Sequence, residues 1–126
     1  MTDKRRILMI DDDPSMSGIV KRNLEQTGTF EVRTEQRGAD GLQAAREFRP
    51  DLLLLDMVMP DCDGGNVLAL FRNDDELKQI PVVFLTGTIS EDGMDARHGQ
   101  IAGYPVVSKQ AKPKTLARQI EQTLRG

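Results

Sequence analysis

Tryptophan is absent from this 126-residue chain, tyrosine occurs once, and aromatic residues make up only 4%. So sparse a set cannot build the stacking platforms on which single-stranded nucleic acids are held. The lone cysteine, Cys62, excludes an internal disulfide framework and a metal site made of several thiolates. No apolar run comes near the roughly 20 residues that a membrane-spanning helix needs. Behind the basic start MTDKRR there is no long apolar stretch, so the opening does not read as a secretory signal. A strong charge of one sign is lacking too: the net charge is −3, which gives no global hold on nucleic acid. What remains is 38% hydrophobic and 29% charged, enough for a core and too balanced for disorder. The expectation is one small cytoplasmic domain spanning residues 1–126, with no membrane and no nucleic-acid contact.

Four short apolar runs organise the chain: Ile7–Ile10, Leu52–Leu55, Val82–Leu85 and Val106–Val107. Each is too short for a helix and is bounded by Pro, Asp, Gly or Thr. Continuous apolar runs of this length suit strands buried on both faces, as in parallel sheets. A weaker alternating run, Phe30–Thr34, suits an edge strand with one wet face. Helical spacing lies between the runs. Met16, Ile19, Val20 and Leu24 follow Pro14 and stop before Gly28. Further helices are expected over residues 39–48, 65–72 and from Pro113 onward, with a poorly patterned one over 91–99. Alternating strands and helices predict an α/β fold: one parallel sheet with helices on both faces.

Ligands of open parallel sheets bind beyond the carboxyl ends of the strands. Asp11, Asp12 and Asp13 follow the first run, Asp56 the second, Thr86 the third, and Ser108 and Lys109 the last. Carboxylates gathered in one crevice repel, and a hard divalent cation relieves them; Mg²⁺ takes carboxylate, carbonyl, water and phosphate oxygens. A lysine and a threonine hydroxyl on the far side suit a phosphate. The set reads as a phosphoryl-transfer site in which a carboxylate is the acceptor. Blander readings exist: Asp13 before Pro14 suits a helix cap, Thr86 is a good strand former, and Lys109 alone would be a surface charge. Asp56 resists the capping reading, because no helix starts before Pro60.

The motifs ILMIDDDP at 7–14, RPDLLLLDMVMPDCDGG at 49–65, IPVVFLTG at 80–87 and VVSK at 106–109 resemble the receiver domain of two-component response regulators. The resemblance covers almost the whole chain. It implies a flavodoxin-like three-layer α/β/α fold with a five-stranded parallel sheet of order 2-1-3-4-5. It also implies that Asp56 accepts the phosphoryl group and that Thr86 and Lys109 bind and sense it. Asp11, Asp12, Asp56 and the Val58 carbonyl would hold Mg²⁺, and a histidine kinase or phosphotransfer protein would be the donor. Such a domain is a regulatory phospho-acceptor rather than an enzyme, and its output partner is unnamed by the sequence.

This chain departs from the family at three places. Gln110 follows Lys109 where proline is usual; Pro113, after Lys112, suits instead the first turn of the last helix. Val106 stands three residues before the lysine, where an aromatic is frequent, and Tyr104 lies two residues earlier on the same strand face. Cys62 replaces a larger apolar residue. Val58 and Thr88 are poor partners for an attacking water, which implies self-dephosphorylation on the order of tens of minutes or longer. Two other readings are a receiver-fold scaffold that signals without phosphate, and an aspartyl-nucleophile phosphatase using Asp11 and Asp13. The second lacks a further acidic pair after Lys109.

Overall fold

The computed structural model describes residues 4–56, 64–86, 100–101, 104–109 and 111–125. The elements are β1 (Arg5–Ile10), α1 (Pro14–Glu25), β2 (Phe30–Glu35), α2 (Gly38–Phe48), β3 (Leu52–Asp56) and α3 (Gly64–Arg72). They continue with β4 (Val82–Thr86), β5 (Gln100–Ile101), β6 (Tyr104–Ser108) and α4 (Pro113–Leu124). The sheet order is β2-β1-β3-β4-β6-β5. Five strands pair in parallel, and β2 stands at one edge as its alternating pattern predicts. These five follow the expected order 2-1-3-4-5. The two-residue β5, antiparallel to β6, was not foreseen. It is too short to carry a period of its own.

The unbroken apolar runs are explained by two cores, one on each face. Side chains alternate along a strand, so each run divides between them. Leu8, Ile10, Leu53, Leu55, Phe84 and Val106 pack with Ala44 and Ala45 of α2 and Val67 and Phe71 of α3. Ile7, Met9, Leu52, Leu54, Leu85 and Val107 pack with Val20 and Leu24 of α1 and Leu116 and Ile120 of α4. Burial of each Val, Leu, Ile, Phe or Met side chain among them contributes roughly 1.5–3 kcal/mol. Tyr104 joins the same cluster as Val106, as their even spacing requires.

Local chemistry sets the helix ends. Asp13 caps α1: its carboxylate accepts from the Ser15 and Met16 amides, and Pro14 fills the first turn, where no amide donor is needed. Gly28, at φ 79°, makes the left-handed turn into β2. Pro113 stands in the first turn of α4 with Lys112 at the cap position, which leaves Lys109 as the lysine that follows the strand directly. Gly41 of α2 sits against β1, where a Cβ would lie 2.2 Å from Ile10 Cδ1. The helix expected over 91–99 lies outside the described residues, as do Val58, Cys62, Thr88 and Gln110.

Candidate functional site

Parallel pairing carries the C-termini of β1, β3, β4 and β6 to one edge. The register sets Ile10 beside Leu55, Asp56 beside Leu85, and Thr86 beside Ser108. Residues far apart in sequence thereby meet. Asp11 is fully buried and Asp56 nearly so, at 0% and 4% exposure. Asp12 is the most exposed of the three acids. One carboxylate oxygen from each of Asp11, Asp12 and Asp56 lies within 4.8 Å of the others.

Lys109 closes the cluster. Its Nζ lies 2.9 Å from Asp11 Oδ2 and 3.0 Å from Asp56 Oδ2, with the side chain only 11% exposed. The Lys109 amide donates to the Thr86 carbonyl at 2.9 Å, which fastens the turn after β6 to the end of β4. Burial by itself would push the Lys109 ammonium down. The carboxylates of Asp11 and Asp56 outweigh it and hold the group above the ordinary lysine value.

Asp11 is oriented from its own neighbourhood. Its amide donates to the Glu35 carbonyl at 3.0 Å, and its Oδ1 accepts from the Asp13 amide at 3.0 Å. Its Oδ2 is buried and faces the Lys109 ammonium at 2.9 Å. Three carboxylates set this close around one ammonium leave an excess of negative charge, which is the donor chemistry a hard divalent cation satisfies. The residues present therefore fit such an ion.

Asp11, Asp12, Asp56, Thr86 and Lys109 all reach this edge, whereas the Val58 carbonyl lies outside the described residues. Asp13 caps α1 as its place before Pro14 predicts. Its amide also steers Asp11, through a side chain that bonds the backbone two residues on, a common property of aspartate. The i, i+2 spacing of the two acids was the available signal.

A doubly wound sheet with a carboxylate cluster and a lysine at its C-terminal edge defines a class of α/β domains whose ligand sites lie beyond the carboxyl ends of the strands. The chain matches the response regulator receiver domain model over residues 7–121, and it belongs to that family. It is 36% identical over 125 residues to the DNA-binding response regulator MtrA of Mycolicibacterium smegmatis, covering 98% of this chain and 52% of that protein. It is 42% identical over 81 residues to the DNA-binding dual master transcriptional regulator RpaA of Synechocystis, covering 64% of this chain and 33% of that one. The chain thus spans about half the length of MtrA or less of such relatives. Among solved structures it resembles chemotaxis response regulator CheY4 of Vibrio cholerae, with TM-score 0.79, 25% identity and coverage of 96% and 99%. The beryllofluoride-activated receiver domain of Klebsiella pneumoniae RstA shares the fold, with TM-score 0.79, 24% identity and coverage of 97% and 100%. The chain is a receiver domain of the two-component type, and no helix among the described residues is long and apolar enough to cross a membrane.

Proposed function

We propose that residues 1–126 act as one cytoplasmic receiver domain whose Asp56 accepts a phosphoryl group from a phosphohistidine on a kinase or phosphotransfer protein. The observation that carries this reading is Lys109 Nζ, held within 3.0 Å of both Asp11 and Asp56 at the strand ends. An Asp56 carboxylate oxygen attacks phosphorus; a P–O bond forms, the P–N bond breaks, and the imidazole nitrogen keeps the electron pair and takes up a proton. Small acyl phosphates serve as donors by the same displacement, with acetate as leaving group.

Asp11, Asp12 and Asp56, together with the Val58 carbonyl, would hold Mg²⁺, which when bound supplies charge neutralisation for the carboxylates and the transferred phosphoryl oxygens. Lys109 contributes a mobile point charge that passes from the carboxylates to a phosphoryl oxygen. Thr86 offers a hydroxyl donor from the neighbouring strand. The new charge at Asp56 then biases the conformation of β4 and β6, which constitutes the regulatory output.

Incubation with acetyl phosphate and Mg²⁺ should add one phosphoryl mass to the intact protein, and Asp56→Asn should abolish the gain. Phosphorylation that persists undiminished in Asp56→Asn would sink the assignment. The adduct should decay slowly, on the order of tens of minutes or longer, because Val58 cannot hydrogen-bond an attacking water.

A further inference from the structure

Arg72, the last residue of α3, divides its guanidinium among three partners. Its Nε donates to the Tyr104 hydroxyl at 3.1 Å. Its Nη1 donates to the carbonyls of Lys78 and Ile80, the second at 3.0 Å. The guanidinium carbon also lies 5.4 Å from the Tyr104 ring centroid. Tyr104 opens β6 and meets Phe84 of β4 edge-on, with ring centroids 5.9 Å apart and planes at 86°. Phe84 precedes Thr86 by two residues on the same strand, so alternation sets both on one face. The backbone of β4 joins Thr86 to Phe84, and from Phe84 side-chain contacts run through Tyr104 to Arg72 and the carbonyls of Lys78 and Ile80.

A surface arginine that merely fastened a loop would need only the two carbonyls. Here the same rigid fork also holds the tyrosine hydroxyl, and a planar guanidinium cannot re-aim one N–H without re-aiming the rest. A displacement of Tyr104 must therefore either break its bond to Arg72 or move the carbonyls of 78 and 80. Packed side chains respond to such a demand by changing between discrete arrangements rather than by stretching.

We propose that the Arg72–Tyr104 clamp couples the state of the site at Thr86 to the last turn of α3 and the segment 73–81. The proposal rests on the reading of Asp56 as phospho-acceptor. An anion at Asp56 draws Thr86, shifts the Phe84–Tyr104 contact, and re-seats Arg72. By linkage, a partner that releases Arg72 from the carbonyls of 78 and 80 changes the affinity of the site for the anion by the same factor.

The test uses the full chain, ¹⁵N-labelled, with beryllofluoride and Mg²⁺ as the probe. Fluorine NMR reports whether the anion is bound at Asp56, independently of the clamp. Amide shifts of 73–80 report the far end, and Tyr104 emission reports the middle, since the chain has one tyrosine and no tryptophan. In the wild type the probe should shift both. In Arg72→Gln the shift over 73–80 should be lost, while amides beside Asp56 and Thr86 still respond and the fluorine signal persists. Tyr104→Phe keeps the ring against Phe84 and should lose the same far-end shift, which leaves the proposal testable if Arg72→Gln fails to fold. Bound fluoride with unmoved 73–80 amides in the wild type would overturn the coupling and leave the Asp56 reading intact. So would full-size far-end shifts in both variants, because a merely structural arginine lowers stability without uncoupling the two ends. Absence of bound fluoride in the wild type would remove the Asp56 reading and the coupling together.

Discussion

Lys109 is the residue on which the site balances. Its ammonium lies beside two buried carboxylates, and removing one partner of a buried charge group leaves the others uncompensated, at a cost of roughly 3–5 kcal/mol in comparable cases. Lys109→Met should therefore lower the urea midpoint in chelator. Added Mg²⁺ should recover more stability in this variant than in the wild type, because the cation takes over the missing charge. Equal recovery in the two proteins would count against a shared carboxylate site. The pH dependence follows from the same contacts. Lys109 is raised above its ordinary value of 10.5, so its contribution is complete below about pH 10.5 and is lost as pH climbs through the higher folded value. The alkaline fall in stability should be shallower in Lys109→Met, as urea titrations between pH 9 and 12 would register (~3 units, spanning the lysine range).

At the scale of elements, caps and close contacts decide how accurately the strands deliver their end residues. Asp13→Ala removes the side-chain cap of α1 and should cost about 1 kcal/mol by urea unfolding. Its backbone amide would still orient Asp11, so acetyl phosphate should still modify Asp56. Gly41 shows the opposite kind of constraint. A Cβ there would lie 2.2 Å from Ile10 Cδ1 and 2.9 Å from Ile10 Cγ1, and Ile10 is fully buried next to Asp11. Gly41→Val should destabilise by about 1–3 kcal/mol or more through overpacking. It should also perturb the amides of residues 10–12, a shift that a plain helix-propensity change would not produce. The apolar runs and the caps were legible in the sequence because both are local: a period of two residues, or one acid before a proline. The short β5 and the contact between Gly41 and Ile10 were not, because each depends on a partner supplied by another part of the chain.

For the molecule as a whole, the acidic character has a location. Three carboxylates lie at one edge of the sheet, while exposed Lys112, Lys114, Arg118 and Arg125 lie on or beside α4. A ligand that binds only the folded state raises its stability, so Mg²⁺ at about 100 times its Kd should add about 2.7 kcal/mol. EDTA should reverse the gain, and Asp12→Asn should shrink it while leaving the apo protein's stability nearly unchanged. A thermal melt indifferent to Mg²⁺ would contradict the proposed ion site.

Composition and pattern were sufficient for the α/β class, for strands buried on both faces, and for the five residues at the strand ends. These follow from side-chain periodicity and from the rule that parallel strands end together. Only the tertiary structure decided that Lys109 contacts Asp11 as well as Asp56 and that Arg72 grips Tyr104. Those are distances between residues tens of positions apart in sequence. They depend on strand register, on turn geometry and on the rotamers that packing allows, and no local pattern encodes them.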